Sequence, residues 1–277
     1  MSDPFELLQA RYGAGQEVPP LAPGDLNPVL ETLFAHRSVR AFLPDALPDH
    51  TLDVLVAAAQ SAPSSSNLQV WSAIAVQDPG RRQRLAGLVG QQKHVLEAPL
   101  FLAWLVDMSR LKRLAAERGR QLDGLDYLDT FLMGVIDAAL AAQNAVNAAE
   151  SLGLGTVYIG ALRNQPEAVA AELGIGPGDG VYPVFGLCVG RPDPARPSSV
   201  KPRLPQSAVL YRERYEPAPV EQETAGYDAA MRAFYASQGL PMTVWSEHSL
   251  ARLKNAFELK GRDRLRDALA GLGFGLR

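Results

Sequence analysis

The chain carries one cysteine in 277 residues. That excludes a disulfide framework and any thiolate-rich metal site. Cys188 sits in the apolar run from Val181 to Val189, where a buried, inert thiol is the favoured reading. Histidine is nearly as sparse. His36, His50, His94 and His248 are scattered with no His-x-x-x-His pair, so no metal site is expected. Positive charge is in deficit, with a formal net charge of −3. A general nucleic-acid binder needs a broad basic surface, so no nucleic-acid partner is expected. Clean hydrophobic runs are missing too. The longest apolar stretch, Phe131 to Ala149, is interrupted by Asp137, Gln143, Asn144 and Asn147, and a membrane span should be cleaner. Met1 to Glu6 has no basic or apolar leader character. The expectation is a cytoplasmic chain without a membrane partner. There is no Gly-x-Ser-x-Gly elbow and no Walker loop, and carboxylates are not grouped near the polar loops. No side chain is therefore assigned as a catalytic nucleophile or base.

What is present is globular: 47% hydrophobic and 21% charged residues, enough for one large domain or two ordinary ones. Residues 1–26 are rich in Pro and Gly and read as an N-terminal arm with a short helix at Phe5–Tyr12. Asn27-Pro28 reads as a cap and first turn of a helix to about His36. Further helices are expected after Pro48, from Asp78 to about Val89, over 109–120, from Asp126 to Leu152, and from Asn164-Gln165-Pro166-Glu167, a capping-box-like start. Strands are expected at Val70–Val76, Leu100–Val106, Gly155–Gly160 and Val181–Gly190. Helices with single strands between them predict a mixed layered domain with a sheet of roughly four or five strands. In the long helix, Leu128, Phe131, Leu132, Val135, Ala139, Ala142, Val146 and Ala149 recur at helical spacing, and its other faces are Ala-rich. Such a helix belongs in the core of a domain or of a dimer. The core is read as 27–215. Residues 216–277 form a helical extension with too few large apolar residues for its own core, suited to wrapping the main domain or a partner subunit.

Three polar segments stand out. His36-Arg37-Ser38-Val39-Arg40 places two guanidiniums, an imidazole and a hydroxyl within five residues, and Lys201-Pro202-Arg203 is a second basic motif. Arg binds oxyanions bidentately, although an Arg pair at a helix end is more ordinarily solvated charge. Ser64-Ser65-Ser66-Asn67-Leu68-Gln69 reads equally as a solvated turn or as a ring of short donors around a polar ligand. Gly90-Gln91-Gln92-Lys93-His94 reads alone as a helix-end cluster. The Gly-rich turn from Gly174 to Gly180 lacks strand-turn-helix order and is given no phosphate role. Cationic and amide groups without a nucleophile suit a large anionic cofactor that performs the chemistry itself.

These motifs, with Ala148-Ala149-Glu150-Ser151-Leu152-Gly153-Leu154-Gly155, Val157-Tyr158-Ile159-Gly160, Leu162-Arg163-Asn164 and Lys201-Pro202-Arg203-Leu204-Pro205, stand in one order. That order resembles the oxygen-insensitive nitroreductase/NADPH–flavin oxidoreductase family, closest to the major NADPH-preferring branch. The likeness runs from about residue 28 into the tail and leaves residues 1–26 outside. It implies an α+β, FMN-binding fold with a central, mostly antiparallel sheet flanked by helices, in an intertwined homodimer with FMN at the interface. It implies that His36, Arg37, Ser38 and Arg40 are FMN ligands, with Ser38 and one or both of His36 and Arg37 toward the phosphate and Arg40 toward flavin N1/O2. Ser64 and Gln69 would line the ribityl chain and ring edge, and Gln92, Lys93 and His94 the pyrimidine edge. Tyr158, Ile159, Gly160 and Ala161 would form the loop near N5, with Lys201 and Arg203 completing the phosphate clamp. The implied reaction is two-electron, ping-pong hydride transfer from NAD(P)H through flavin N5 to small-molecule acceptors, nitroaromatics or quinones. A flavin reductase releasing reduced flavin, or a flavin-binding module with poor NAD(P)H reactivity, are the alternatives. Two departures are visible. Ala161 replaces the family's usual second Gly, and the tail stretch Ser237-Gln238-Gly239-Leu240-Pro241-Met242-Thr243 carries no cation where close relatives have Arg, which leaves NADH beside NADPH as reductant.

Overall fold

The structure, a computed structural model, describes residues 4–13, 16, 18–22, 24–241 and 243–277. Met1–Asp3, Gly15 and Pro23 of the expected arm, and Met242 of the cation-free tail stretch, lie outside the described residues. The elements in order are α1 (Pro4–Tyr12), α2 (Pro28–Phe34), α3 (Thr51–Gln60), β1 (Trp71–Val76), α4 (Pro79–Leu88), α5 (Lys93–Glu97), β2 (Leu100–Asp107), α6 (Ser109–Glu117), α7 (Leu128–Ser151), β3 (Gly155–Ile159), α8 (Pro166–Glu172), β4 (Val181–Gly190), α9 (Val220–Ser237), α10 (Trp245–Arg252) and α11 (Leu265–Gly271). They fall into two compact units, Met1–Arg37 with Ser198–Glu258, and Ser38–Pro197 with Leu259–Arg277.

In the first unit the Asn27 side chain accepts from the backbone N–H groups of Val29 and Leu30, with Pro28 opening α2, as its sequence predicts. The helix stops at Phe34 rather than near His36. α1 packs on α2 and buries Leu8, and just past its end a Cβ at Gly13 would stand 2.5 Å from Ala230 Cβ on α9. Gly13 has φ +97°, so the close approach and the backbone both call for glycine there. Tyr227 on α9 packs on Trp245 of α10, ring centroids 5.6 Å apart.

The second unit is built on a four-stranded sheet of order β1-β2-β4-β3, with every neighbouring pair antiparallel. Side chains alternate across a strand, and β2 uses both faces. Phe101, Ala103 and Leu105 join the core that includes Leu85, Val95, Val169 and Leu269 from α4, α5, α8 and α11. Leu100, Leu102 and Trp104 join the opposite core with Leu55 of α3 and Ala141, Ala145 and Ala149 of α7. A strand covered on both sides has to be apolar throughout, which explains the unbroken run of β2.

Two sequence expectations are corrected. Asn164 does not cap α8. Gln165 is the residue before the helix and makes no side-chain cap, while Asn164 Oδ1 accepts instead from Arg262 Nε at 2.8 Å. The buried stripe of α7 is Gly134, Asp137, Ala138, Ala141, Ala142, Ala145, Val146 and Ala149. Leu128, Leu132, Ile136 and Leu140, spaced by four, are exposed in the single chain. The small residues take the inward face because the helix lies close to the sheet, where a Cβ on Gly134 would come within 2.6 Å of Val106 Cγ1. α7 is also the one helix among the described residues long and apolar enough to cross a membrane by length and composition.

Candidate active site

In the first unit the two basic motifs are joined by one residue of the arm. Arg11 Nη2 donates to the carbonyl oxygens of Phe34 and His36 at 3.1 and 2.7 Å, and Arg11 Nη1 donates to the Lys201 carbonyl at 3.1 Å. The Arg203 N–H in turn donates to the Arg11 carbonyl at 2.7 Å. His36, Arg37, Lys201 and Arg203 are thus carried by segments that share a single guanidinium. The Lys201 ammonium lies over the rings of Phe234 and Tyr235, 5.5 and 5.3 Å from their centroids. Among the described residues Arg37 Nη1 donates to the Ala35 carbonyl, and Arg203 Nη1 to those of Lys201 and Pro202. Neither has a carboxylate partner among the described residues. Guanidiniums held in place and left unneutralised are the donor set a phosphate dianion requires.

In the second unit Ser38 forms an isolated parallel bridge with Thr156 on β3, and the Val39 N–H donates to the Thr156 carbonyl at 2.8 Å. Arg40, exposed, follows at once. His94 on α5 is near it: burial first, then the Arg40 charge, lower the imidazole pKa below its ordinary value, against the opposing pull of Glu97. The turn before α5 is fixed by Gly90 and Gln91, both at positive φ. Gln92 Nε2 donates to the Val89 carbonyl at 3.0 Å, and Lys93 pairs with Glu97 at 3.1 Å. At the end of β3, Tyr158 is 38% exposed, with much of its side chain out of water, while Ile159 and Ala161 are buried. The latter two can offer a ligand only main-chain groups. The Tyr158 hydroxyl donates to Gln143 Oε1 at 3.4 Å and its ring stands edge-on to Phe185. Burial and the Glu150 carboxylate raise its pKa, so it stays protonated. Gly160 lies beside the guanidiniums of Arg163 and Arg262, 3.6 and 3.9 Å from where its Cβ would be.

The Ser64–Gln69 loop is held from within. Asp137, 1% exposed on α7, accepts from Ser64 Oγ at 2.6 Å and from the Ser65 N–H at 3.0 Å. Ser64 Oγ accepts from the Gln69 N–H at 2.9 Å, and Arg110 Nη1 donates to the Gln69 carbonyl at 2.8 Å. Ser66, Asn67 and Gln69 all have φ between 50° and 55°. Side chains seldom adopt that region, and such strain gathers at ligand sites. Leu68 lines two cavities of about 470 and 490 Å³, the first apolar and bounded by α6 and Met133, the second bounded by Gln69, Trp71, Ser72 and Arg110.

This loop and the Ser38–Arg40 segment do not meet within one chain. Trp71 pairs with Val106 and Val106 with Tyr182, at one end of the sheet. Thr156 pairs with Val189 and Val189 with Leu100, at the other end. β1 and β3 are also opposite edges. Three strand spacings across and about six residues along put the two segments on the order of 25 Å apart.

Sequence reasoning missed Arg11 and Asp137. Arg11 lies in the arm with no motif around it. Asp137 had a signal, since a carboxylate among the alanines of a core-facing helix needs donors aimed at it.

A basic cluster without a nucleophile in one unit and an open antiparallel sheet flanked by helices in the other suit a chain that binds a phosphate-bearing cofactor. Its class is given by comparison. The nitroreductase family profile matches residues 33–191, and the profile of the nitroreductase family C-terminal domain matches 201–277. The chain belongs to the nitroreductase family. It is 37% identical to an FMN reductase (NADPH) of Bacillus subtilis, over 90% of this chain and 99% of that protein. It is 38% identical to an oxygen-insensitive NADPH nitroreductase of Salmonella typhimurium, over 80% and 90%. Among solved structures, the NADPH:FMN oxidoreductase of Vibrio harveyi complexed with NAD+ superposes with a TM-score of 0.79 at 33% identity, covering 91% of this chain and all of that one.

Proposed function

We propose that this chain is an FMN-dependent oxidoreductase that takes hydride from NAD(P)H and reduces small-molecule acceptors, nitroaromatics or quinones. The observation that carries the reading is the pair of guanidiniums, Arg37 and Arg203, without a carboxylate partner among the described residues, on segments joined through Arg11. Bound FMN would supply the two-electron redox chemistry between nicotinamide and acceptor. The protein's part is to hold and tune it. His36, Arg37, Ser38, Lys201 and Arg203 would bind the phosphate. Arg40 would stand by flavin N1/O2, where a fixed cation favours the negative charge that arises on reduction. Gln92, Lys93 and His94 would meet the pyrimidine edge, Ser64 and Gln69 the ribityl chain and ring edge, and Tyr158 to Ala161 the region of N5. With its donor spent on Asp137 and one lone pair on Gln69, Ser64 could offer the cofactor only its remaining lone pair.

We infer a homodimer in which each cofactor is held by two chains. Two features support this: the distance between the Ser38–Arg40 segment and the Ser64–Gln69 loop, and the open apolar stripe of α7. The reductant is NADPH or NADH, because the described part of 237–243 carries no cation, and a cytoplasmic location would suit an enzyme that draws on that pool. A second reading, a flavin reductase that releases reduced flavin, is favoured by the name of the 37% identical relative.

Anaerobic mixing of the yellow protein with NADPH and with NADH, followed by flavin absorbance, tests the proposal. Rapid bleaching by either supports it and names the reductant. Bound FMN that neither bleaches would refute it. Turnover with nitrofurazone or a quinone, against turnover with free FMN alone, separates the two readings.

A further inference from the structure

We propose that Arg11 is a positioning residue for the cofactor phosphate, so that the N-terminal arm, outside both matched family regions, is part of the anion-binding apparatus. The inference rests on the FMN reading above. Its geometry lies wholly within the unit formed by Met1–Arg37 and Ser198–Glu258.

The Arg11 guanidinium is a rigid planar fork, and three carbonyl oxygens converge on it, from Phe34, His36 and Lys201. This fixes the spacing between the first basic motif and the second. The Arg203 N–H closes the loop by donating to the Arg11 carbonyl. Each bond also sets a direction. In a trans peptide the C=O and the following N–H point opposite ways. With the His36 carbonyl turned to Arg11, the Arg37 N–H faces the opposite way and is left to other partners.

The fork answers an electrostatic problem as well. Phe34 is the last residue of α2, and the C-terminus of a helix carries partial negative charge on its unsatisfied carbonyls. Cations that are to hold a phosphate follow within a few residues of that end. Arg11 satisfies the Phe34 carbonyl and sets a positive charge against it. The arm itself is anchored, with Leu8 buried, Gly13 tight against Ala230, and the Tyr12 hydroxyl accepting from Gln206 Nε2. Arg11 therefore acts from a docked helix rather than a loose tail.

The test compares FMN with riboflavin, which lacks the phosphate, by fluorescence titration of the wild-type chain, Arg11→Ala and Arg11→Lys, with Arg203→Ala as a direct-contact control. The wild type should bind FMN more tightly than riboflavin. Both Arg11 variants should weaken FMN about tenfold or more and leave riboflavin within twofold, so that the FMN-to-riboflavin preference collapses as it does in Arg203→Ala. Lys keeps the charge and the helix but cannot span three carbonyls, so it serves alone if Arg11→Ala does not fold. An Arg11→Lys protein with the wild-type preference overturns the inference, and so does equal weakening of both ligands, which would mark a general stability role. A wild type that binds FMN no better than riboflavin overturns the phosphate clamp and the inference with it. A wild type that binds neither overturns the flavoprotein reading.

Discussion

Val39 lies so close over Gly155 that a Cβ on Gly155 would stand 2.7 to 2.9 Å from all three branched carbons of the Val39 side chain. Val39 is also hydrogen-bonded to Thr156, so the segment that carries Ser38 and Arg40 is pressed onto the first residues of β3. Gly155→Ala should push this segment outward. Overpacking of this kind costs about 1–3 kcal/mol, and the expected result is a lower midpoint in urea together with weaker FMN retention. Gly87→Ala is the contrast. Gly87 lies inside α4 with open space at its Cβ, and that change should stabilise by roughly 0.5–1 kcal/mol with no effect on FMN.

His94 makes stability depend on pH. Burial and Arg40 lower its folded pKa below the ordinary 6.5. Between the lowered value and 6.5 the unfolded chain binds the proton and the folded chain does not. Stability therefore rises with pH through that window and is flat above it. Urea midpoints measured from pH 5 to 8 should climb to about the ordinary histidine value and then level, with His94→Gln flattening the lower part. A His94→Gln protein with an unchanged slope would mean that other groups carry the dependence.

Much of this was legible beforehand. The strands, a mixed layered domain and the order of the motifs could be read because each rests on local pattern: the two-sided apolar run of β2, the Asn27-Pro28 start of α2 and the Gly-punctuated turns; the antiparallel α+β class came only with the family resemblance those motifs carry. Three things were not. The inward face of α7 depends on how closely it approaches β2, a tertiary property that no helical spacing encodes when every face is apolar. Asn164 had a capping position and was taken instead by Arg262, nearly a hundred residues away. Arg11 acts through backbone carbonyls, and a carbonyl leaves no mark in a sequence.

Asp137 should prove to be the anchor of the Ser64–Gln69 loop. Its two oxygens accept from Ser64 and Ser65, and the bonds continue through Ser64 to Gln69. Asp137→Asn would replace one acceptor with a donor facing a hydroxyl whose proton then has no partner. Loss of a buried charged hydrogen bond costs roughly 1–3 kcal/mol. Amide exchange at Ser65 and Gln69 should quicken by tenfold or more, with Ser64→Ala giving the same pattern at Gln69 and the double variant no further effect there. Additive effects would place the two residues on separate paths.

The exposed stripe of α7 gives the last prediction. Leu128, Leu132, Ile136 and Leu140 are between 40% and 54% exposed in a single chain, at a spacing that puts them on one line along the helix. An apolar line this long is usually covered. In the proposed dimer a second copy covers it, and a carboxylate placed there would be buried without a partner, which is far costlier than leaving it in water. Ile136→Asp leaves the chain's own core untouched, since the buried stripe of α7 is on another face. Sedimentation velocity should therefore find wild type as a dimer and Ile136→Asp as a folded monomer with native circular dichroism. If each cofactor is held by two chains, that monomer should also lose its FMN. A dimeric Ile136→Asp protein would remove α7 from the interface, and a monomer that keeps its full flavin content would show that one chain suffices to hold the cofactor.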